Sequence, residues 1–252
     1  MDKQYSSLAS VYDVLNRDFD YSGYAKFLDS EIKEWESQKT SLVLDLACGT
    51  GKITFALRDL GYDMTGVDLS SDMLSVAKDY SYEKGINNIL WLCQDMREFE
   101  LYGTVDACVC CLDSINYLTK LKDVEACFKT VHNYLIPNGV FIFDINTPYQ
   151  FETVYGDNAY ILESEGSLCA WQNEYNKKTK ICKFYLSIFE ECENGSYERS
   201  DEMQIERSYT CAQISALLKK CGFELLQVYG NLEKKEAEVS DEKWYFVARC
   251  KK

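Results

Sequence analysis

The sequence predicts an α/β fold: a doubly wound, mostly parallel sheet carrying a small antiparallel β cap. Three observations carry that prediction. Residues 41–146 alternate short apolar runs with segments of helical spacing. One such run, Leu42-Val43-Leu44-Asp45-Leu46, turns on Ala47-Cys48-Gly49-Thr50-Gly51 into a helical pattern of Ile53, Phe55-Ala56-Leu57 and Leu60. After Pro148 the texture changes to extended runs broken by turn residues.

The elements follow in order. Residues 1–40 read as two helices, which either cover an edge of the sheet or form a lid that brings aromatics to a site. Tyr5, Leu8-Ala9, Tyr12 and Leu15 stripe the first; Tyr24, Phe27-Leu28, Ile32 and Trp35 stripe the second after a cap at Asp18-Phe19-Asp20. A strand at 41–46 feeds a helix at about 51–60, which Gly61 stops. Tyr62 to Val67 is a second strand ending at Asp68, and Ser70-Ser71-Asp72 caps the next helix. Ile89 to Cys93 ends at Gln94-Asp95-Met96, and Val105 to Leu112 is a fourth, nearly continuous apolar strand. A helix covers about 121–135. Pro137-Asn138-Gly139 reads as a turn before a fifth strand, Val140 to Ile145. Residues 159–209 give three or four antiparallel strands, with Phe184, Leu186 and Ile188 on one face of the longest. Thr210 caps a last helix. Phe223 to Val228 and Trp244 to Ala248 are closing strands, joined by a charged loop at 231–243 that reads as solvated. The core is thus 41–147 with 210–252, and the cap 148–209.

Composition narrows the class of function. The length of 252 residues suits one domain with an elaboration. Hydrophobic residues at 46% and charged residues at 27% are ordinary for a soluble chain. No apolar run approaches the roughly 20 residues of a membrane span, and Met1-Asp2-Lys3-Gln4-Tyr5 opens no signal peptide. A cytoplasmic protein without membrane contact is expected. A net charge of −14 repels nucleic-acid phosphates and suits a cationic ligand. Among 12 cysteines, Cys108-Val109-Cys110-Cys111 holds a C-x-x-C inside an apolar run, with no second pair and only one histidine, His132. Reduced, mostly buried thiols and no metal site follow.

A strand turning on glycines into a helix offers backbone N–H groups to an anionic ligand. The dinucleotide fingerprint needs a small third residue where Thr54 stands, and the phosphate-loop spacing is absent. Two further strand ends sharpen the reading. A carboxylate at Asp68 suits the hydroxyls of a ribose; Asp95 suits an adenine amino group, with Met96 against the ring. Together with Asp45 they outline a nucleoside site on one edge of the sheet.

These residues resemble the motifs of class I S-adenosylmethionine-dependent methyltransferases. Asp45-Leu-Ala-Cys-Gly-Thr-Gly51 is similar to the first motif, Gly66-Val-Asp68-Leu-Ser70 to the second, Gln94-Asp95-Met96 to the third, and Cys111-Leu-Asp113-Ser-Ile-Asn-Tyr117 to the fourth. Leu135-Ile-Pro-Asn-Gly139 and Val140-Phe-Ile-Phe143 resemble the turn and fifth strand. Ser10-Val-Tyr12-Asp13 and the antiparallel cap resemble the small-molecule branch, whose plan glycine and sarcosine methyltransferases share. The resemblance implies a seven-stranded Rossmann-like sheet in the order 3-2-1-4-5-7-6, with strand 7 antiparallel, and S-adenosylmethionine as methyl donor. Residue by residue, it implies that Gly49 and Gly51, beside Ala47 and Cys48, let the backbone approach the methionine moiety. Asp45 would orient its ammonium, with Lys26 a candidate for its carboxylate. Asp68 would hold the ribose beside Leu69 and Met73, Asp95 and Met96 would frame the adenine, and Leu112 would lie near the sulfonium. Tyr12 would close over the whole.

Candidates for chemistry on the acceptor are Asp113, Asn116 and Tyr117 after the fourth strand. Asp144 and Asn146 after the fifth, and Trp171, Tyr185, Arg207 and Tyr209 in the cap, are candidates for binding it. No Asn/Asp-Pro-Pro-Tyr motif stands at Leu112-Asp113-Ser114-Ile115, and neither Pro137 nor Pro148 precedes a cysteine, so the amino- and C5-methylating nucleic-acid enzymes are not matched. A small-molecule N or O acceptor is the expected substrate. An RNA or protein acceptor, or a silent S-adenosylmethionine sensor, stays open. A nicotinamide oxidoreductase is disfavoured by Thr54. Nothing in the sequence sets the oligomeric state.

Overall fold

The computed structural model describes residues 12–164 and 166–252. Tyr5 and Leu8-Ala9 of the expected first helix lie outside them; its described part is α1, Tyr12–Leu15. The second helix, α2 (Tyr21–Trp35), starts where the Asp20 carboxylate accepts from the Gly23 N–H at 2.8 Å. It buries Tyr24, Phe27, Leu28 and Ile32.

The core is a seven-stranded sheet built from β1 (Leu42–Leu46), β2 (Asp63–Asp68), β3 (Leu90–Cys93), β4 (Val105–Cys110), β5 (Leu135–Asn146), β10 (Phe223–Tyr229) and β11 (Lys243–Cys250). Its order is β10-β11-β5-β4-β1-β2-β3. The first five strands run parallel, and β11 lies antiparallel to β5 and β10. This is the order and the antiparallel strand that the motif resemblance implies. Helices cover both faces. On one, α2 and α3 (Lys52–Asp59) pack Leu28, Ile32 and Leu57 onto Val43, Val109 and Ile142. On the other, α5 (Leu121–Tyr134) and α6 (Cys211–Lys220) pack Phe128, Val131 and Leu218 onto Leu44, Cys108 and Phe143. Alternate residues of one strand thus serve opposite cores, as the pleat requires. The helix α4 (Ser71–Glu83) is capped by the Ser70 hydroxyl, which accepts from the Met73 N–H at 3.2 Å.

Three local readings change. Pro137-Asn138-Gly139 is no separate turn: β5 runs through it, with a shift of register against β4 between Val105 and Ala107 and Asn138 at φ 63°. A π-helical turn at Gln150–Tyr155 stands where no element was expected. The loop at 231–243 is not simply solvated. Its Lys234 reaches the fully buried Glu31 at 2.5 Å, and Lys243 at its end pairs with Asp113 at 2.5 Å and with the buried Asp144 at 3.1 Å.

The cap is a second sheet of four antiparallel strands, β6 (Ala159–Ser164), β7 (Ser167–Asn176), β8 (Ile181–Glu191) and β9 (Tyr197–Arg207). Its inner face carries Cys169, Trp171, Phe184, Leu186 and Ile188, against which Tyr12 of α1 packs. Asn116, from a 3-10 turn at Ser114–Tyr117, fastens the cap to the core. Its amide nitrogen donates to the Asn146 carbonyl at 3.3 Å and the Arg207 carbonyl at 2.9 Å, and its oxygen accepts from the Asn146 N–H at 2.9 Å. All twelve cysteines are free thiols, eight of them buried. His132 bonds the Lys251 carbonyl and sits edge-on to Phe223, remote from the strand ends. Among the described residues no helix is long and apolar enough to cross a membrane.

Candidate active site

A cavity of about 670 Å³ opens along the C-terminal ends of β1, β2, β3 and β4 and continues to the edge strand of the cap. In a parallel sheet this is where chain reversals leave a crevice. The glycine turn forms its floor. Ala47 holds φ 60°, a left-handed conformation that a glycine would adopt more easily, and its neighbour Gly49 holds φ 55°. A Cβ built on Gly49 would meet no atom within 4 Å, so it would project into the cavity. Gly51 does something else. It is not among the residues of the cavity wall, and its Cβ would sit 2.6 Å from the Trp91 ring, so packing requires a glycine there.

Three carboxylates line the wall at successive strand ends. Asp45 is buried beneath the turn and accepts from the Thr54 hydroxyl at 2.5 Å. Burial, opposed by that hydrogen bond and reinforced by Asp68, pushes it up to about 7. Asp68 uses one oxygen on the Gly49 N–H and the other on the Ser70 N–H, both at 2.8 Å. Burial raises it and those donors hold it down. With the Leu69 N–H as a third donor, the carboxylate still has acceptor capacity for a ligand. Asp95 is gripped by Arg97, whose Nε lies at 2.9 Å and Nη2 at 2.5 Å, holding the carboxyl below its usual range. Sequence reasoning missed Arg97 because it follows the motif and not a strand end. Beside these, Leu69 is 65% exposed although it faces the cavity, an apolar surface left for a ligand to cover. Met73, Met96 and Cys48 complete this part of the wall, and Tyr12 roofs it. Among the described residues, no group of three His, Cys, Asp or Glu side chains is placed to hold a metal ion.

The far end is shaped by Asp144. This buried carboxylate accepts from the backbone N–H groups of Leu112 and Asp113, both at 2.7 Å, from the Tyr24 hydroxyl, and from Lys243 at 3.1 Å. It thereby holds Leu112 at φ 57° and Asp113 at φ 55°, two consecutive left-handed residues without glycine. Leu112 faces the cavity. The Asp113 side chain turns behind it onto Lys243 at 2.5 Å.

Of the three catalytic candidates, only Tyr117 reaches the wall; its hydroxyl donates to Gln204 of β9 at 2.8 Å. Asn116 corrects an expectation, since its buried amide is consumed by backbone groups. Arg207 also stands behind the wall, donating to the Thr119 carbonyl at 3.1 Å. Tyr185 stands on the face of the cap opposite to Phe184 and Leu186, is not among the residues of the cavity wall, and bonds Glu174. Trp171 lies on the inner face among Tyr155, Tyr160 and Phe184, its Nε1 without a partner. Asn146 is fully buried beside Asn116, Tyr209 is packed in the core, and Lys26 is exposed. Lys52 and Lys120, which the sequence did not single out, are the lysines in the wall.

Residues 43–139 match the family model described as a methyltransferase domain. The chain is 34% identical over 250 residues to YqeM of Bacillus subtilis (strain 168), named as a methyltransferase, covering 98% of each chain. The crystal structure of an S-adenosylmethionine-dependent methyltransferase from Clostridium acetobutylicum ATCC 824 superposes with a TM-score of 0.88 at 31% identity, covering 98% of this chain and 99% of that one. The chain belongs to the class I S-adenosylmethionine-dependent methyltransferases. Part of the enzyme is also similar to a dTDP-3-amino-3,4,6-trideoxy-α-D-glucopyranose N,N-dimethyltransferase of Streptomyces venezuelae, 30% identical over 156 residues, or 59% of this chain and 60% of that one. The open space over Gly49, the exposed Leu69 and the three strand-end carboxylates fit the cofactor of this family.

Proposed function

We propose that the enzyme transfers a methyl group from S-adenosylmethionine to a nitrogen or oxygen of a small molecule. The observation that carries this is the continuity of the cavity. It runs from the Asp45, Asp68 and Asp95 strand ends past Leu112 to Tyr117, Leu118 and Thr119, and to Met203 and Ile205 of the cap. Its volume of about 670 Å³ lies within the roughly 300–1,000 Å³ of sites for small ligands. The acidic balance of the chain and the similarity to an amino-sugar dimethyltransferase support the same reading.

When bound, S-adenosylmethionine supplies a methyl group on a sulfonium, ready for in-line displacement. The chain's own residues then have mainly to position and to exclude water. In this reading Asp45 faces the ammonium of the methionine moiety, Asp68 the ribose hydroxyls, and Asp95, Met96 and Leu69 the adenine. The left-handed Leu112 sets the backbone at the reacting end. Residues 12–40 form the described part of the lid, with Tyr12 closing the roof, and Tyr117 faces the acceptor.

Two measurements test the proposal. Thermal stabilisation by S-adenosylhomocysteine and not by NAD is expected; a shift with NAD alone overturns it. Label from methyl-labelled S-adenosylmethionine is expected in small molecules when the enzyme is offered metabolite, RNA and protein fractions. Label confined to RNA or protein overturns the small-molecule acceptor.

A further inference from the structure

We propose that β9 builds an amine subsite, in which Glu206, with Asn146 and Tyr117, receives the amino group of the methyl acceptor. This rests on the small-molecule reading above and narrows it to an amine.

The pattern of β9 is inverted. Glu202, Gln204 and Glu206 are only 9%, 6% and 4% exposed, while Met203 between them is 41% exposed. A strand selected for packing alone would do the opposite, because a buried carboxylate loses its hydration unless charge or hydrogen bonds replace it. Those replacements are incomplete. Glu206 lies opposite Cys182 on β8, beside Asn146 at the end of β5, and near Tyr117, Tyr155 and the Asp113–Lys243 pair. The cation that faces it, Lys243, is already shared between Asp113 at 2.5 Å and Asp144 at 3.1 Å. One lysine therefore serves three carboxyl groups. Burial and then Asp113 hold Glu206 well above the usual carboxylate range.

A second observation points to a ligand. Asn146 is fully buried; its Nδ2 lies 3.5 Å from Glu206 Oε2, and its Oδ1 has no hydrogen-bond partner. An acceptor without a donor, next to a carboxyl whose facing cation is held by two other carboxylates, suits an ammonium group, which carries several N–H donors and a positive charge. A hydroxyl acceptor offers one donor and no charge. The route in is Tyr117, which forms part of the cavity wall, bonds Gln204 and touches Glu206, and is flanked there by Ile205.

The chemistry balances. An amine arriving as its ammonium has no free electron pair. One N–H bond breaks, its proton joins a carboxylate oxygen of Glu206, and nitrogen keeps the pair. That pair forms the N–C bond as the C–S bond breaks with its electrons passing to sulfur, and the positive charge moves from sulfur to nitrogen. A carboxyl group held above its normal range is matched to such a proton.

The test uses methyl-labelled S-adenosylmethionine with paired acceptors: amino sugars, amino acids and short polyamines against their hydroxyl counterparts. The intact enzyme is expected to label amines and leave the counterparts unlabelled. Glu206→Gln should bind S-adenosylhomocysteine as the parent does, yet lose at least tenfold in kcat/KM for the amine, with Glu206→Asp recovering part. Should Glu206→Gln fail to fold, the parent's kcat/KM for the amine must still show an acidic limb, which Glu206→Asp displaces. Labelling of hydroxyl compounds alone, of no amine, or an amine rate within twofold in Glu206→Gln overturns the subsite. Failure of the parent to bind S-adenosylhomocysteine would instead overturn the reading beneath it.

Discussion

The hydroxyl of Thr50, in the glycine turn, donates to the carboxylate of Asp13 in α1 at 2.7 Å, and Lys52 pairs with the other oxygen at 3.0 Å. One side chain thus ties the N-terminal helix to the floor of the cavity. The ion pair is partly exposed and worth only about 0.2–1 kcal/mol; the hydrogen bond to a charged group adds roughly 1.5–3 kcal/mol where it is shielded. Asp13→Ala should raise the dissociation rate of S-adenosylhomocysteine about 3- to 30-fold, read by stopped-flow fluorescence, with little change in the unfolding of the ligand-free chain. An unchanged rate would show that α1 does not guard the cofactor.

Asp45 gives cofactor binding a pH dependence. Its folded value is raised from 3.8 to about 7, so the ligand-free protein holds a proton there that the unfolded chain has released. Its stability should therefore fall as pH rises from about 4 to about 7. Ligand binding runs the other way, because an ammonium group favours the ionised form. Affinity for S-adenosylhomocysteine should drop towards tenfold per pH unit below about 7 and level off above it. Calorimetric titrations between pH 5.5 and 8 check this, and Asp45→Asn should give a weak, flat profile.

The two glycines of the turn should part company under substitution. Gly51→Ala puts a Cβ 2.6 Å from Trp91 at φ 81°, and should destabilise the protein by about 2 kcal/mol or more. Gly49→Ala meets no protein atom within 4 Å and should cost only about 1 kcal/mol of backbone strain, yet abolish cofactor binding. Thermal melts with and without S-adenosylhomocysteine separate the two.

Asp144→Ala should be among the most damaging single changes. It leaves Lys243 with Asp113 alone, takes the acceptor from the buried Tyr24 hydroxyl, and frees the Leu112 and Asp113 amides from the contact that holds their left-handed turn. Breaking a buried pair in this way costs about 3–5 kcal/mol, on the order of 10 °C in Tm for a chain of this size. Asp144→Asn, which keeps an acceptor for one amide, should lie between. A variant that melts like the parent would show that the turn holds itself.

The parts legible in the sequence were those with local signals. Strand-to-helix alternation gave the parallel sheet, and Asp45, Asp68 and Asp95 could be placed because each closes an apolar run. Asp144 and Asn116 were visible only as polar residues after strands. Their partners lie far away in sequence, at Tyr24 and Lys243 for one and Arg207 for the other, so nothing local separates a clamp from a catalytic group. Tyr185 and Trp171 looked equivalent, and only the pairing of β7 with β8 sends one outward and the other inward. Glu206 was hidden for a further reason. Alternation with Met203 and Ile205 is the usual mark of an acid facing water, and β9 reverses it.

The Asn116 amide grips the chain at two places, where it leaves the core at Asn146 and where it returns at Arg207. The four strands between those points enter and leave the core at one junction while the sheet beneath keeps its own order. Such a seam lets evolution trade one cap for another with the donor chemistry intact. A laboratory graft that keeps Asn116 and joins a foreign cap at these two residues is the corresponding route to new acceptors.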